Sequence, residues 1–443
     1  MATSTTAAAI EDEAENVTAG NGTRTTAGNG TRTTAGNGTR TAGGRGDSGS
    51  GKAWLGVAAA VFAIAWGGNE FTPLLVMYKG EGLQVTTVDL LLFEYVLGII
   101  PALVIGGPLS DRYGRRLLMR PAPLVAALGS LLLAFGSSSV PMLSAGRVLC
   151  GIALGLAMAV GTSWLKELSQ PPFTADSAPG VGARRSAMSL TGGFGIGAGV
   201  AGVLAQWGPL PDTLPYLINV ALCLGAAAWV IHAPETVTPQ QNPNRLLDDL
   251  KVPAAAHRRF RRVALPLALW LFTCSAAAYA IMPTLMMPKV HGAPIAFSAL
   301  ITVITLGCGF GIQSVARRID KPGTIRLTAL SLSFVIAGMA LAVAASAALT
   351  LWLTVATAIM LGLGYGIGMV AGLQEIERIA RPDDLAGLNA VFYAVSYLGF
   401  GVPVVMALLH DATGVSYPAM FGVLTVGAIA CLTLVVRSRW ISV

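Results

Sequence analysis

Asp111, Arg112, Arg115 and Arg116 crowd into the short stretch GGPLSDRYGRR, residues 106–116, in a chain whose residues are only 12% charged. A carboxylate beside three guanidiniums can accept fork-like, charge-assisted hydrogen bonds or sit against a neighbouring helix N-terminus. That chemistry suits a latch, which clamps one packed arrangement of helices and releases another. A tight turn at Gly114 flanked by topology-setting arginines accounts for the basic residues but leaves Asp111 without a purpose.

Three more charges lie inside apolar stretches: Glu70 in WGGNEFTP, Glu94, and Arg147 in RVLCGIALG. A charged side chain within a membrane span costs about 2.5 to 3.5 kcal/mol even on lenient scales, so Arg147 needs a partner or water. Counted inward from the predicted helix ends, the three lie about seven residues deep, on the order of 10 Å at helical rise. A structural ion pair plus one glutamate at a wet cavity wall is one reading. Proton coupling is the other, with desolvation favouring the protonated glutamate and the nearby arginine favouring the ionised one.

These residues must be positioned by membrane-spanning helices. The 443 residues are 54% hydrophobic with a mean hydropathy of +0.66, which does not suit a water-soluble globule. Apolar runs of about 20 residues can each cross a hydrocarbon core roughly 30 Å thick. Twelve spans are expected, at 53–78, 88–108, 121–140, 141–165, 186–207, 214–233, 263–287, 295–316, 323–345, 349–372, 385–409 and 416–437. Arg112, Arg115, Arg116, Lys166, Arg184, Arg185, Arg258, Arg259, Arg261, Arg262, Arg317, Arg318, Lys321, Arg378, Arg381, Arg437 and Arg439 all fall on one face. The other face has little beyond Lys79 and Lys289. By the positive-inside rule both termini are cytoplasmic.

The expected organisation is a low-complexity cytoplasmic tail over 1–52, a six-helix half over 53–233, a cytoplasmic linker over 234–262, a second half over 263–437 and a short tail over 438–443. The first tail repeats TAGNGTRT and lacks core formers, so it should be disordered. Its N-x-T sequons at Asn16, Asn21, Asn29 and Asn37 have no signal peptide before them. Features recur about 205 residues apart, GGPLSDRYGRR being echoed by GFGIQSVARRID, although Val315 stands opposite Asp111.

At Gly107, Leu109, Ser110, Asp111, Arg112, Gly114, Arg115 and Arg116 the sequence resembles the major facilitator superfamily, whose signature between helices two and three reads G-x-L-[AS]-D-R-x-G-R-[RK]. Arg147, Gly151 and Gly155 are similar to that family's R-x-x-x-G pattern in helix four. The resemblance, over about 53–437, implies an all-α membrane fold of twelve helices in two pseudo-symmetric six-helix halves, and a switch role for the 107–116 motif between inward-open and outward-open states. Because helix one lines the cavity in family members, Glu70 is expected to carry the proton and Glu94 to be the fixed partner of Arg147. Polar or aromatic positions on cavity-lining helices are Trp66, Asn69, Trp270, Tyr279, Tyr365, Asn389 and Tyr393; each serves packing or interface anchoring equally well. Proton-coupled antiporters of the family usually have a Gly-Pro step in helix five, whereas Gly197 is followed here by Ala198.

Other chemistries lack support. The formal charge of +7 is dispersed and forms no stripe for nucleic acid. The five cysteines and four histidines have no metal or redox spacing, so no cofactor or metal is expected. GAGVAG at 197–202 fits G-x-G-x-x-G but lies within an apolar helix, where Gly193, Gly195, Gly197 and Gly199 let backbones approach. Ser163 and Lys166 fit S-x-x-K without its companion motifs, and no Walker loop or convergent nucleophile and base indicates an enzyme. The reading is a plasma-membrane secondary transporter, monomeric, whose partners are a small molecule, protons and the lipid bilayer. Proton-coupled efflux of a drug or metabolite is favoured over a proton-coupled importer or facilitator, and over a non-transporting receptor or scaffold.

Overall fold

The computed structural model describes residues 52–174, 178, 180–238, 252–381 and 384–438. Most of the repeat tail with its sequons, much of the linker, and residues 439–443 with Arg439 lie outside the described residues. Among the described residues, twelve helices cross the bundle: α1 (Trp54–Gly80), α2 (Val85–Tyr113), α3 (Arg115–Phe135), α4 (Val140–Leu168), α5 (Val181–Trp207), α6 (Leu214–Val230), α7 (Phe260–Lys289), α8 (Pro294–Ile319), α9 (Arg326–Ala348), α10 (Leu351–Ile379), α11 (Leu385–Thr413) and α12 (Tyr417–Arg437). Eleven are long and apolar enough to span a membrane; α6, at 17 residues, is the short one.

Local sequence sets the helix ends. Pro141, Pro215 and Pro418 occupy the first turns of α4, α6 and α12, where the missing N–H costs nothing. Gly414 ends α11 in the left-handed region at φ +71°. Several helices run past the hydropathy limits: α2 continues to Tyr113, α4 to Leu168 and α10 to Ile379. Apolarity stops where side chains become charged, but main-chain groups remain satisfied by continuing the helix beyond the hydrocarbon. The 107–116 motif is therefore not a loop. Gly107 to Arg112 are helical, and the break is Gly114 alone, at φ +94°.

The two halves repeat one packing plan. In the first, α2 packs on α4, α3 on α4 and α6, and α1 on α5 and α6; in the second, α8 packs on α10, α9 on α10 and α12, and α7 on α11 and α12. Close backbone approach recurs as well. A Cβ at Gly151 would meet the Tyr95 carbonyl oxygen at 2.1 Å, and one at Gly366 would meet that of Gly309 at 2.0 Å. The halves meet along α5 with α8 and α2 with α11.

Candidate functional site

At the end carrying the Arg112–Arg116 cluster, here the basic end, the motif takes part in a polar network with other residues of the first half. Arg115 Nη1 lies 2.6 Å from Asp111 Oδ1, and its Nη2 donates to Glu167 Oε1 of α4 at 2.8 Å. Ser110 Oγ accepts from Arg115 Nη1 and donates to the Gly107 carbonyl. Arg112 is buried. Glu235, just past α6, accepts from the backbone N–H groups of Arg115 and Arg116, each at 2.9 Å, and so caps α3. Arg116 Nε donates to the Ala233 carbonyl, Trp164 Nε1 to that of Pro234, and Thr236 Oγ1 to Glu167 Oε2. Gly114 suits this turn because its φ of +94° strains any L side chain, and a Cβ would also meet Glu235 Oε2 at 2.7 Å. Partial burial pushes the Glu235 carboxyl up, but the N–H donors of Arg116, Arg115, Val237 and Thr236 outweigh it and hold the group below the ordinary carboxylate range.

The second half has its own network at this end. Arg259, immediately before α7, pairs with Glu375 of α10 at 2.5 Å, both fully buried, and Arg378 bridges Glu375 to Asp320 at the end of α8. Asp320, one turn beyond Val315, supplies the acid missing from the sequence echo. Among the described residues, the ion pairs of each network lie within one half.

The opposite end is held across the halves. Lys79 of α1 pairs with Asp89 of α2 at 2.6 Å, with side chains only 3% and 5% exposed, and also donates to Thr284 Oγ1 of α7 at 3.1 Å. Thr86 donates to Asp411 of α11 at 2.6 Å. Gln206 of α5 accepts from the N–H groups of Ile295 and Ala296, capping α8.

Between the two ends lie two cavities. One of about 280 Å³ sits toward the basic end, with Gly107, Lys166, Glu377, Asn389 and Tyr393 in its wall. A smaller one, about 30 Å³, is central and takes Asn69, Tyr95, Arg147, Tyr279 and Tyr365 from both halves. Met158, in the larger cavity, accepts a hydrogen bond from the hydroxyl of Tyr397, in the smaller, at 3.1 Å. Phe272 stacks on Tyr397 at 4.2 Å and on Phe400 at 5.1 Å behind it. Wide helical turns over Ala157–Gly161 and Ala277–Ile281 set Met158 and Tyr279.

Five of the seven expected cavity residues thus line a cavity and two do not. Trp66 packs against Gly197 of α5, and Trp270 against Gly427 of α12, each buried. On α7 the cavity face is Phe272, Ser275 and Tyr279; Trp270 points some 200° around the helix from Phe272.

The expected Glu94–Arg147 ion pair is not formed. Arg147 is 1% exposed; its guanidinium carbon lies 4.2 Å from the Tyr95 ring centre and 4.5 Å from that of Phe71, while Nε donates to the Leu91 carbonyl. Two aromatic faces and a carbonyl replace the carboxylate, because helix phase turns Tyr95 rather than Glu94 toward α4. Glu94 is half-buried, with Oε2 unpartnered. Glu70 is fully buried away from both cavities; Oε1 accepts from Ser130 of α3 at 3.2 Å, Oε2 has no partner, and Asn219 of α6 lies on the same serine. The depth count set three charges at one level but could not show that they face different ways. Gly193 and Gly197 do bring α5 onto α1, whereas a Cβ at Gly195 would meet nothing within 4 Å. Among the described residues no cluster could hold a metal ion.

Sequence reasoning missed Glu167, Glu235, Asp320 and the Lys79–Asp89 pair. The signal for the last was present: a lysine and an aspartate ten residues apart on a face almost empty of charge.

Two helical halves around a shared cavity, with a polar network at one end of each, define a multi-pass membrane protein of the transporter class, not an enzyme. The sequence matches the Major Facilitator Superfamily over residues 55–402, and the chain belongs to that family. It is 33% identical to a triacylglyceride transporter of Mycobacteroides abscessus over 31% of this chain and 25% of that one. It is 34% identical to a bacillibactin exporter of Bacillus subtilis (22% and 26% covered) and 25% identical to a chloramphenicol resistance protein of Pseudomonas aeruginosa (60% and 61%). The chain therefore spans less than two thirds of the length of these curated relatives. A solved POT family transporter shares the fold at a TM-score of 0.69 and 10% identity, covering 88% of this chain and 96% of that one.

Proposed function

We propose that this protein is a plasma-membrane secondary transporter that exports a small organic compound by alternating access, driven by protons, with its basic end in the cytoplasm. The observation that carries the reading is the asymmetry of closure. Ionic and hydrogen-bonded contacts join the halves at the opposite end, while at the basic end the ion pairs among the described residues each lie within one half and a cavity of about 280 Å³ lies between them. That asymmetry supports an inward-facing state. Glu70, buried with one unpartnered oxygen, is the proposed proton carrier, and the Asp111–Arg115–Glu167 network with Glu235 is the proposed switch. Similarity to an exporter and a resistance protein favours efflux. The proposed domain division is two halves over 53–233 and 263–437 joined by a 234–262 linker.

The test is flux in proteoliposomes with an imposed pH gradient, screened over candidate drugs and metabolites. Uptake into inside-acidic vesicles that collapses with the gradient supports proton-driven antiport. Gradient-independent flux would favour a facilitator, to which the absence of a Gly-Pro step at Gly197–Ala198 also points. No flux of any compound would leave a receptor or scaffold.

A further inference from the structure

The central cavity contains donors that the protein does not satisfy. Arg147 is in its wall, forms no ion pair among the described residues, and has a buried Nη1 without a hydrogen-bond partner. Tyr95 contributes a buried hydroxyl and Ser275 of α7 a buried Oγ, both also unpartnered and both in the same wall. No carboxylate lines this cavity, since Glu70 is turned toward Ser130. A buried guanidinium with a free N–H, beside two free hydroxyls, is costly unless an acceptor arrives to use them. With one cation in the wall, that acceptor is a monoanion.

A second feature indicates what is attached to it. Leu306 of α8 belongs to the wall of the central cavity and also to that of a groove of about 540 Å³ between α5 and α8. Apart from Thr191 the groove is lined by apolar side chains and glycines; its Met188, Ile196 and Phe310 are exposed on the outer surface of the bundle, and a Cβ at Gly195 or Gly307 would meet nothing within 4 Å. It lies on the seam between the halves, and only an apolar chain suits both its lining and its surroundings.

We propose that the site binds a monoanionic, single-chain amphiphile: its anionic group accepts hydrogen bonds from Arg147, Tyr95 and Ser275, and its chain passes Leu306 into the α5–α8 groove. This rests on the transporter reading and names the substrate class for it.

The test is equilibrium binding of labelled dodecanoate to the full-length protein in phosphatidylcholine nanodiscs, with empty discs subtracted. Dodecanoate should bind saturably, and dodecanol, dodecyltrimethylammonium and acetate should each compete at least about 10-fold more weakly, since each lacks the charge, its sign or the chain. Tyr95→Phe keeps the ring over Arg147 and removes only the hydroxyl; it should weaken binding several-fold. Arg147→Gln should abolish the preference for dodecanoate over dodecanol, and Leu306→Trp should abolish the advantage of a long chain over a short one. Equal competition by dodecanol, or unchanged affinity in Tyr95→Phe, overturns the proposal. So does displacement of dodecanoate by phosphatidylglycerol, which would give the cavity to a bilayer lipid. Binding is read without flux, so dodecanoate binding in a protein that transports nothing would defeat only the transporter reading. Transport of other compounds with no dodecanoate binding would defeat only this one.

Discussion

Lys79 on α1 and Asp89 on α2 form a buried ion pair at 2.6 Å, and the same ammonium reaches across the halves to Thr284 on α7. One lysine thus ties two helices of the first half to the second at the end opposite the basic cluster. Opening that end requires the Lys79–Thr284 bond to break.

Removing one partner of a buried pair leaves an uncompensated charge, at a cost of about 3 to 5 kcal/mol, whereas replacing both with apolar residues of similar size costs far less. Asp89→Asn should therefore be markedly less thermostable than the parent, and Lys79→Met with Asp89→Leu should recover most of the loss. Additive losses in the double variant would show that the two residues act separately.

Arg147 is held by Tyr95 and Phe71, so the double-variant behaviour of Glu94 differs from that of a true partner. Arg147→Gln should be destabilising, and adding Glu94→Gln should not rescue it, with a coupling below about 0.5 kcal/mol in a thermal or denaturant cycle. Substantial rescue would restore the ion pair suggested by depth alone.

Glu235→Gln replaces one acceptor oxygen with a donor facing the N–H groups of Arg115 and Arg116. Transport should fall several-fold while insertion stays normal, because the arginines still set topology. Since its carboxyl sits below the ordinary value, its contribution is present above the unfolded value near pH 4.5 and is lost as pH falls through the lower folded value. Parent protein should retain this clamp at pH 5, measured as protection of the Arg115 and Arg116 amides from hydrogen exchange. Loss of that protection already at pH 5 would contradict the assignment. Asp111→Asn, by contrast, removes a half-exposed acid, and should shift the balance of states in a crosslinking assay without loss of folded protein.

Glu70→Gln keeps the hydrogen bond with Ser130 available while removing proton exchange. The variant should fold, bind substrate and lose its response to a pH gradient. A stable variant that still couples fully would remove Glu70 as carrier.

Much of this architecture was legible in the sequence, because hydrophobic run length and the placement of arginines are strong one-dimensional signals. They marked twelve spans, two halves and the Gly107–Arg116 motif. What they could not convey was direction around a helix. Trp270 and Phe272 are two residues apart, yet one faces α12 and the other the cavity; Glu94 and Tyr95 are adjacent, yet only Tyr95 meets Arg147. Long-range partners were equally hidden: Glu167 and Glu235 reach Arg115 from 52 and 120 residues away. No periodicity in either segment announces that meeting.

The most direct measurement is a pair of distances in one protein, by double electron–electron resonance: labels at Glu81 and His291 on the opposite end, and at Tyr113 and Arg318 on the basic end. Alternating access predicts that a change of pH or addition of substrate lengthens the first distance while shortening the second. Two distances that stay fixed, or that lengthen together, would contradict the account.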